Sequence, residues 1–255
     1  MLLSCKLFRI VIFLILLFCS KSIQAQFEEH IFDLGGKSMP YLLMKPLGYD
    51  STKSYPLILF LHGSGERGQD NKRTLTHIES LLTADSNRTA FPAFVLVPQC
   101  DTGHRWVEVD WKAVSHTQPA EPSKYMQLTI SLLDKIESSF PIDPKRIYVT
   151  GLSMGAFGSW DIIARLPNKF AAAAPVCGGG DTETATLIKQ IPIWIFHGST
   201  DKVVKASRSS DMYEALKKVG GNVKYAEYKD VGHDSWKPAY REPDFLKWMF
   251  GQRKG

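Results

Sequence analysis

The chain has 255 residues, of which 44% are hydrophobic and 22% are charged, a composition typical of a globular protein. Its formal net charge is +5, but three of the 31 basic residues lie within the first 25 positions. The other 28 basic residues are balanced by 26 acidic ones, so the composition does not indicate a nucleic-acid or anionic-membrane partner.

The first 25 residues have the layout of a secretory signal peptide. Two basic residues precede an unbroken apolar run over residues 10–18, and a more polar segment then ends at Ala25. The apolar run is about half as long as a membrane-spanning helix requires. We therefore expect cleavage after Ala25 and a secreted or periplasmic protein with no membrane span. Cys19 leaves open a lipoprotein acylated at that residue, which the bulky Phe18 before it disfavours.

Strand and helix patterns alternate from about residue 30 to the end of the chain. The expected strands are 28–34, 40–45, 56–61, 93–97, 147–150, 170–176, 191–196 and 223–228. The expected helices are 72–84, 124–139, 156–166, 206–219 and 239–250. Several strands are continuous apolar runs, as expected for strands buried on both faces. This alternation predicts an α/β fold in which a mostly parallel, doubly wound sheet carries helices on both faces, in a single domain over residues 26–255.

The most specific motif is Gly151-Leu152-Ser153-Met154-Gly155, which separates the fifth expected strand from the helix that follows it. A G-x-S-x-G motif between a strand and a helix is the nucleophile elbow of α/β-hydrolases. The tight turn requires small flanking residues and projects the serine at the carboxyl edge of the sheet, near the positive end of the helix dipole. Ser153 is therefore the candidate nucleophile.

A serine hydroxyl needs a base within hydrogen-bond reach and an acid that orients this base. In this fold the acid follows the nucleophile in the chain, and the histidine comes last. Asp201 follows the seventh expected strand and His233 follows the eighth. Because active sites of open α/β sheets lie at the carboxyl edge, we assign Asp201 as the acid and His233 as the base.

Other residues at the strand ends compete for these roles. Asp181, which follows the sixth strand, and Asp230, which precedes His233, are rival acids. His62 and His197 each precede a glycine at the end of a strand, and we expect them to pin loops by hydrogen bonds.

The oxyanion hole needs backbone N–H groups that point at the developing negative charge. Met154, the residue after the nucleophile, supplies one such donor in this fold. The second is expected from the glycine-rich segment 62–68 after the third strand, where glycine lets the backbone approach a substrate closely. Ser64 is the first choice for this donor and Gly65 is the second.

The long irregular stretch 99–123 is the candidate wall of a substrate pocket, since loops of this length are usually functional. Gln99 begins this loop, Trp106 lies within it, and Trp236 comes three residues after His233. These three are the candidate substrate-binding residues, because aromatic walls suit a sugar ring or an aromatic acyl group. Anchoring of Trp106 on the core remains an open alternative.

The cysteines indicate neither a disulfide nor a metal site. Cys100 and Cys177 would lie three strand spacings apart, about 14 Å, whereas a disulfide needs Cα atoms within ~7 Å. We therefore expect two free thiols, no metal and no cofactor.

The motifs that carry a family resemblance are the elbow, Leu61-His62-Gly63, the segment from His197 to Asp201, and Gly232-His233. With these motifs the chain resembles the α/β-hydrolase superfamily. Within it, the chain is similar to secreted esterases grouped with feruloyl and acetyl-xylan esterases and with polyhydroxybutyrate depolymerase-like enzymes.

The resemblance implies a serine carboxylic-ester hydrolase that acts on a small-molecule or oligosaccharide ester of feruloyl or acetyl type. A prolyl-oligopeptidase-like peptidase or a thioesterase would use the same triad, so both remain alternatives. A binding protein on a hydrolase scaffold is the remote alternative, against which a complete set of serine, aspartate and histidine argues.

Overall fold

The computed structural model describes residues 26–255, so the expected signal peptide and the alternative at Cys19 lie outside the described residues. Eight strands form one sheet in the order β1-β2-β4-β3-β5-β6-β7-β8. They are β1 (Glu28–Leu34), β2 (Lys37–Met44), β3 (Tyr55–Leu61), β4 (Phe94–Pro98), β5 (Ile142–Leu152), β6 (Ala172–Val176), β7 (Ile193–Gly198) and β8 (Val223–Tyr228). β1 and β2 run antiparallel to their neighbours, and β3 to β8 are parallel to one another.

Eight α-helices accompany these strands within residues 26–255. They are α1 (Glu79–Thr83), α2 (Asp85–Ala90), α3 (Lys124–Ser139), α4 (Met154–Arg165), α5 (Ala185–Ile188), α6 (Ser207–Lys218), α7 (Trp236–Ala239) and α8 (Phe245–Phe250). Side chains of α3, α4, α5 and α6 pack on one face of the sheet, and side chains of α1, α7 and α8 pack on the other.

The central strands are buried on both faces, which explains their unbroken apolar sequences. All seven residues of β3 are buried. Leu57, Leu59 and Leu61 point into one core, whereas Ile58 and Phe60 point into the other. Successive side chains of a strand alternate between the two faces, so a strand covered on both sides needs an apolar residue at every position. The prediction of a mostly parallel, doubly wound sheet with helices on both faces is confirmed.

Two expected helices are shorter than their apolar periodicity predicts. Only α1 lies within the expected helix 72–84, because Thr74 and Thr76 bond their hydroxyls to backbone carbonyls three residues earlier and stabilise turns instead. The closing helix expected over 239–250 is replaced by α7 and α8, which are separated by a turn that contains Pro243. Proline is disfavoured inside a helix because it lacks the N–H group.

Both described cysteines are free and fully buried. Cys100 lies in the core on one side of the sheet and Cys177 in the core on the other. Burial raises the pKa of both thiols, so they stay protonated at neutral pH. Among residues 26–255, no helix is long and apolar enough to span a membrane, and no group of three or more histidine, cysteine or acidic side chains could hold a metal ion.

Candidate active site

The elbow between β5 and α4 holds Ser153 in a conformation that non-glycine residues rarely adopt. Its φ is 51° and its ψ is −117°. The turn is so tight that a Cβ on Gly155 would lie 1.8 Å from the carbonyl oxygen of Leu61, and one on Gly151 would lie 2.4 Å from that of Gly155. Only glycine fits at these two positions. Strained backbone of this kind is concentrated at functional sites.

Ser153, His233 and Asp201 form one hydrogen-bonded line at the carboxyl edge of the sheet. His233 Nε2 lies 2.9 Å from Ser153 Oγ, and His233 Nδ1 lies 2.7 Å from Asp201 Oδ2. Because a carboxylate only accepts, Nδ1–H donates to Asp201 and leaves Nε2 free to accept the serine proton. This is the geometry that general-base activation of a serine requires.

The Asp201 carboxylate is buried and fully engaged by donors. Its Oδ1 accepts from the N–H groups of Val203 at 2.8 Å and Val204 at 3.0 Å. Its Oδ2 accepts from His197 Nε2 at 3.1 Å as well as from His233. Burial opposes the charged form, but these hydrogen bonds outweigh it and hold the pKa of Asp201 well below its usual range. The carboxylate is therefore ionised at neutral pH.

The rival acids have other partners. Asp181 accepts from the N–H groups of Gln118 at 2.8 Å and Glu183 at 3.0 Å, and it caps a short 3₁₀-helix. Asp230 lies in the turn after β8 with a φ of 60° and is exposed. Neither carboxylate is hydrogen-bonded to His233, whereas Asp201 is.

The expected oxyanion segment adjoins the elbow. It begins directly after β3 with a 3₁₀-helix, Ser64–Glu66, and Met154 is the first residue of α4. The first N–H groups of a helix have no partner within it and can donate to a ligand. The segment lies close to the elbow, since a Cβ on Gly63 would be 2.7 Å from Leu152 Cδ1. Ser64, Gly65 and Met154 thus begin helices on either side of Ser153.

Buried and half-buried charges hold this segment in place. Glu66 is buried and pairs with His77 at 3.3 Å. Burial opposes the charge of Glu66, yet contacts with His77 leave its pKa lowered overall. Arg67 donates to the carbonyl oxygens of Ser64 at 2.9 Å and His104 at 3.2 Å. The last of these contacts ties the segment to the loop 99–123.

The prediction that Gln99 and Trp106 line the substrate site is wrong, because neither side chain reaches the surface. Gln99 accepts from the N–H of Asn71 at 2.7 Å and donates to the carbonyl oxygen of Glu66 at 3.1 Å. Trp106 Nε1–H donates to the carbonyl oxygen of His62 at 3.0 Å. Both side chains form hydrogen bonds with buried backbone groups, so they stabilise the loops around the site.

Trp236 is the candidate substrate-binding residue that does lie beside the triad. It is partly exposed, and its ring lies 5.5 Å from that of His233 in an edge-to-face arrangement. On its other side the ring lies 4.8 Å from that of His77. The approach of His77 to the site could not be predicted from the sequence, since His77 lies in a segment expected to be a regular helix.

Comparison with known proteins identifies the family of this chain. A family model named Esterase, with the description "Putative esterase", matches residues 34–228. The chain belongs to this esterase family. A bifunctional acetylxylan esterase/xylanase from Neocallimastix patriciarum is 30% identical over 58% of the chain, and poly(3-hydroxyalkanoate) depolymerase C from Paucimonas lemoignei is 31% identical over 49%. The chain spans only 20% and 28% of the lengths of these two relatives.

Solved structures confirm the esterase fold. A thermostable esterase superposes on 91% of the chain with a TM-score of 0.84 and 35% identity, and 64% of that esterase is covered. The feruloyl esterase module of Clostridium thermocellum matches 89% of the chain and is itself covered to 88%, with a TM-score of 0.65. At 15% identity this second likeness concerns the fold alone. The family and the fold together confirm the resemblance to α/β-hydrolase esterases.

Proposed function

We propose that this protein is a serine carboxylic-ester hydrolase in which Ser153 is the nucleophile, His233 the general base and Asp201 the orienting acid. The observation that carries the proposal is the position of His233, which bridges Ser153 Oγ and Asp201 Oδ2 at 2.9 and 2.7 Å. Both distances suit direct hydrogen bonds, so no rearrangement is needed before proton transfer.

The proposed reaction has two steps. In the first, His233 Nε2 takes the Ser153 proton, Oγ forms a bond to the ester carbonyl carbon, and the resulting intermediate expels the alcohol, which receives the proton from His233. In the second, water loses a proton to His233 and attacks the acyl-enzyme, and Ser153 leaves with the proton returned. Asp201 stays ionised throughout and stabilises the positively charged His233 that forms in each step.

The negative oxygen of each tetrahedral intermediate is proposed to bind backbone N–H groups. Met154 N–H is one donor, at the N-terminus of a 12-residue helix whose dipole also favours negative charge there. Ser64 N–H is the second donor, with Gly65 N–H as the alternative. Such donors act without reorganisation when the backbone is held rigidly, as Gln99 and Arg67 hold this segment.

The proposed substrate class is an acyl ester of a carbohydrate. Two observations support it: acetylxylan and feruloyl esterases are among the relatives, and Trp236 offers an aromatic surface next to His233. A thioester substrate is the second candidate, because an acyl-protein thioesterase 1 homologue from Dictyostelium discoideum is 24% identical over 70% of the chain. An acylaminoacyl peptidase shares the fold, so amides belong in the same comparison.

We also propose that the protein is exported and processed after Ala25. The arrangement of basic, apolar and small residues before this position supports the proposal, and a secreted protein from Arthroderma benhamiae is 27% identical over 86% of the chain. Mass spectrometry of the mature protein tests it. An N-terminus at Gln26 is the expected result, and a lipid-modified start at Cys19 would overturn it.

A substrate panel tests the proposed chemistry. Acetylated xylo-oligosaccharides, methyl ferulate, p-nitrophenyl acyl esters, an acyl thioester and aminoacyl amides are compared with wild type and Ser153→Ala. We expect the highest kcat/KM on a carbohydrate ester and a loss of at least about 10³-fold in kcat in the variant. Undiminished hydrolysis by Ser153→Ala would refute the assigned nucleophile, and preferred cleavage of the thioester or amide would refute the substrate class.

A further inference from the structure

A second histidine contacts the same carboxylate oxygen of Asp201 as His233. His197 is fully buried at the end of β7. Its Nε2 lies 3.1 Å from Asp201 Oδ2 and 3.0 Å from the carbonyl oxygen of Val204. Both neighbours only accept hydrogen bonds, so Nε2 must carry a proton and donate it.

The other ring nitrogen of His197 also faces an oxygen that needs a donor. Nδ1 lies 2.7 Å from Ser209 Oγ, which in turn lies 2.9 Å from the carbonyl oxygen of Gly178. All of these contacts are satisfied when the single hydroxyl proton of Ser209 is directed to Gly178 and Nδ1 of His197 donates to Ser209 Oγ. In this arrangement both ring nitrogens carry protons, and the ring is a positively charged imidazolium.

His62 is a contrasting case at an equivalent position. It is also fully buried and also precedes a glycine at a strand end. Its Nδ1 donates to the carbonyl oxygen of Gly63 at 2.6 Å, but its Nε2 accepts from the N–H of Cys100 at 3.0 Å. His62 is therefore neutral, and burial lowers its pKa to about 4. Burial alone thus does not produce the two-donor pattern of His197.

We propose that His197 is a positioning residue of the triad. It holds Asp201 by a hydrogen bond, and its positive charge lies next to the carboxylate that also binds His233. The inference rests on the proposed function, since it concerns the same triad. The hydrogen bonds run from Gly178 through Ser209 and His197 to Asp201. Gly178 itself packs on the elbow, because a Cβ there would lie 3.1 Å from the carbonyl oxygen of Ser153.

The shared oxygen gives the charge of His197 a direct effect on the base. His197 Nε2 and His233 Nδ1 both lie within 3.1 Å of Asp201 Oδ2, so they are at most about 6 Å apart. A positive charge at this distance opposes proton uptake by His233, and it offsets part of the attraction of the Asp201 anion.

Three other titratable groups lie on the elements next to His197. The Cys177 thiol at the end of β6 is neutral, because burial raises its pKa. Glu227 pairs with His197 in the strand register, but its exposed carboxylate accepts from the hydroxyl of Tyr225 at 2.6 Å. Arg208, next to Ser209 on α6, is hydrogen-bonded to His116.

Two substitutions separate the hydrogen bond from the charge. His197→Gln keeps an N–H donor near the position of Nε2 but is neutral, and His197→Leu removes both the donor and the charge. For His197→Gln we expect kcat above neutral pH within about tenfold of wild type, and the acidic limb of the kcat/KM profile displaced upward by about one pH unit. For His197→Leu we expect the same displacement and a loss of about 100-fold in kcat with a nearly unchanged KM, because Asp201 is no longer aligned.

Ser209→Ala gives a milder test, because it removes the partner of Nδ1 and leaves Nε2 bound to Asp201. We expect a smaller displacement of the acidic limb in the same direction. Nitrogen-15 NMR of the imidazole groups gives a readout that needs no turnover. We expect His197 to show two protonated ring nitrogens at pH 7 and His62 to show one.

The outcomes separate this inference from the proposed function. The inference would be overturned if both His197 variants kept the acidic limb of the wild-type profile and lost activity only in proportion to the decrease in melting temperature. A single protonated ring nitrogen on His197 would overturn the proposed positive charge. If His197→Leu fails to fold, the pH profiles of kcat/KM for His197→Gln and Ser209→Ala decide the question. Failure of the proposed function would show instead as full activity of Ser153→Ala or as no hydrolysis by wild type.

Discussion

Asp181 and Asp201 are two buried aspartates that follow neighbouring strands at the same edge of the sheet. Each is 9% exposed, and each has a histidine nearby. Asp201 bonds to His233 and His197 through one oxygen, whereas both oxygens of Asp181 accept from backbone N–H groups. Similar burial and similar placement therefore give one carboxylate that can orient a base and one that stabilises a loop.

The histidine near Asp181 is engaged elsewhere. His116 Nδ1 is hydrogen-bonded to the buried Arg208, which always donates, so this nitrogen must be an acceptor. Burial and the charge of Arg208 lower the pKa of His116 to about 4, and the ring is neutral at pH 7. The two aspartates therefore differ in whether the neighbouring histidine is free to bond to the carboxylate, as His233 does with Asp201.

The largest effect is expected from Asp201→Asn. The neutral amide no longer holds the correct tautomer of His233 or stabilises its charged form, so kcat should fall by about 10⁴-fold. Steady-state kinetics on a p-nitrophenyl ester measure the loss, and circular dichroism checks that the fold is kept. A larger loss in Asp181→Asn than in Asp201→Asn would reverse the assignment of the acid.

A smaller and substrate-dependent effect is expected from Trp236→Ala. The Trp236 ring lies beside that of His233, with 5.5 Å between the ring centroids. We expect kcat/KM to fall about 10- to 100-fold for a feruloyl or oligosaccharide ester through lost aromatic contact, and about threefold for p-nitrophenyl acetate. Equal losses on both substrates with a lower melting temperature would mean that Trp236 serves packing alone.

Asp181→Ala should reduce stability rather than activity. The side chain caps a 3₁₀-helix and binds Gln118 of the long loop, and a lost cap costs about 1 kcal/mol. In a domain of this size the melting temperature should fall by about 2–4 °C, with kcat within about threefold of wild type. Thermal unfolding followed by circular dichroism measures the shift, and an unchanged melting temperature would contradict the capping role.

The smallest effect concerns the pH dependence of stability. The pKa of His116 is about 4 in the folded protein, against 6.5 for an unperturbed histidine. Between these values the unfolded chain binds a proton that the folded protein does not, so stability should rise with pH from 4 to 6.5. His116→Gln should make the increase of stability with pH smaller. Part of the increase should remain, because buried His62 also has a pKa of about 4. Urea unfolding at pH 4.5, 5.5 and 6.5 tests this, and an identical slope in the variant would contradict it.

Much of the architecture could be predicted because local patterns specify it. The apolar runs of β3 and β4 predict strands buried on both faces, and the hairpin around Gly35 and Gly36 is present as expected. The sequence failed where polar side chains interfere with periodicity. Hydroxyl groups at Thr74 and Thr76 stabilise turns within a segment whose leucine spacing predicts a helix.

The surroundings of the candidate substrate-binding residues are harder to predict, because an aromatic side chain in a loop can point either into the core or towards solvent. Trp106 and Trp236 both lie near candidate catalytic segments in the sequence. Trp106 is fully buried on the carbonyl of His62, whereas Trp236 is partly exposed beside His233. The acceptor for the Trp106 indole N–H, the carbonyl oxygen of His62, lies 44 residues earlier in the chain, so the sequence around Trp106 does not reveal it.

By itself, the sequence determined the strand–helix alternation, the tight turn at Ser153 and the order in which serine, aspartate and histidine follow the strands. These features depend on residues close together in the chain, such as the glycines at positions 151 and 155. The tertiary structure alone decided that His233 meets Asp201, that Asp181 caps a 3₁₀-helix, and that His197 contacts the same oxygen of Asp201 as His233. Each of these depends on hydrogen bonds between loops, whose donors and acceptors become neighbours only when the parallel strands align their carboxyl ends.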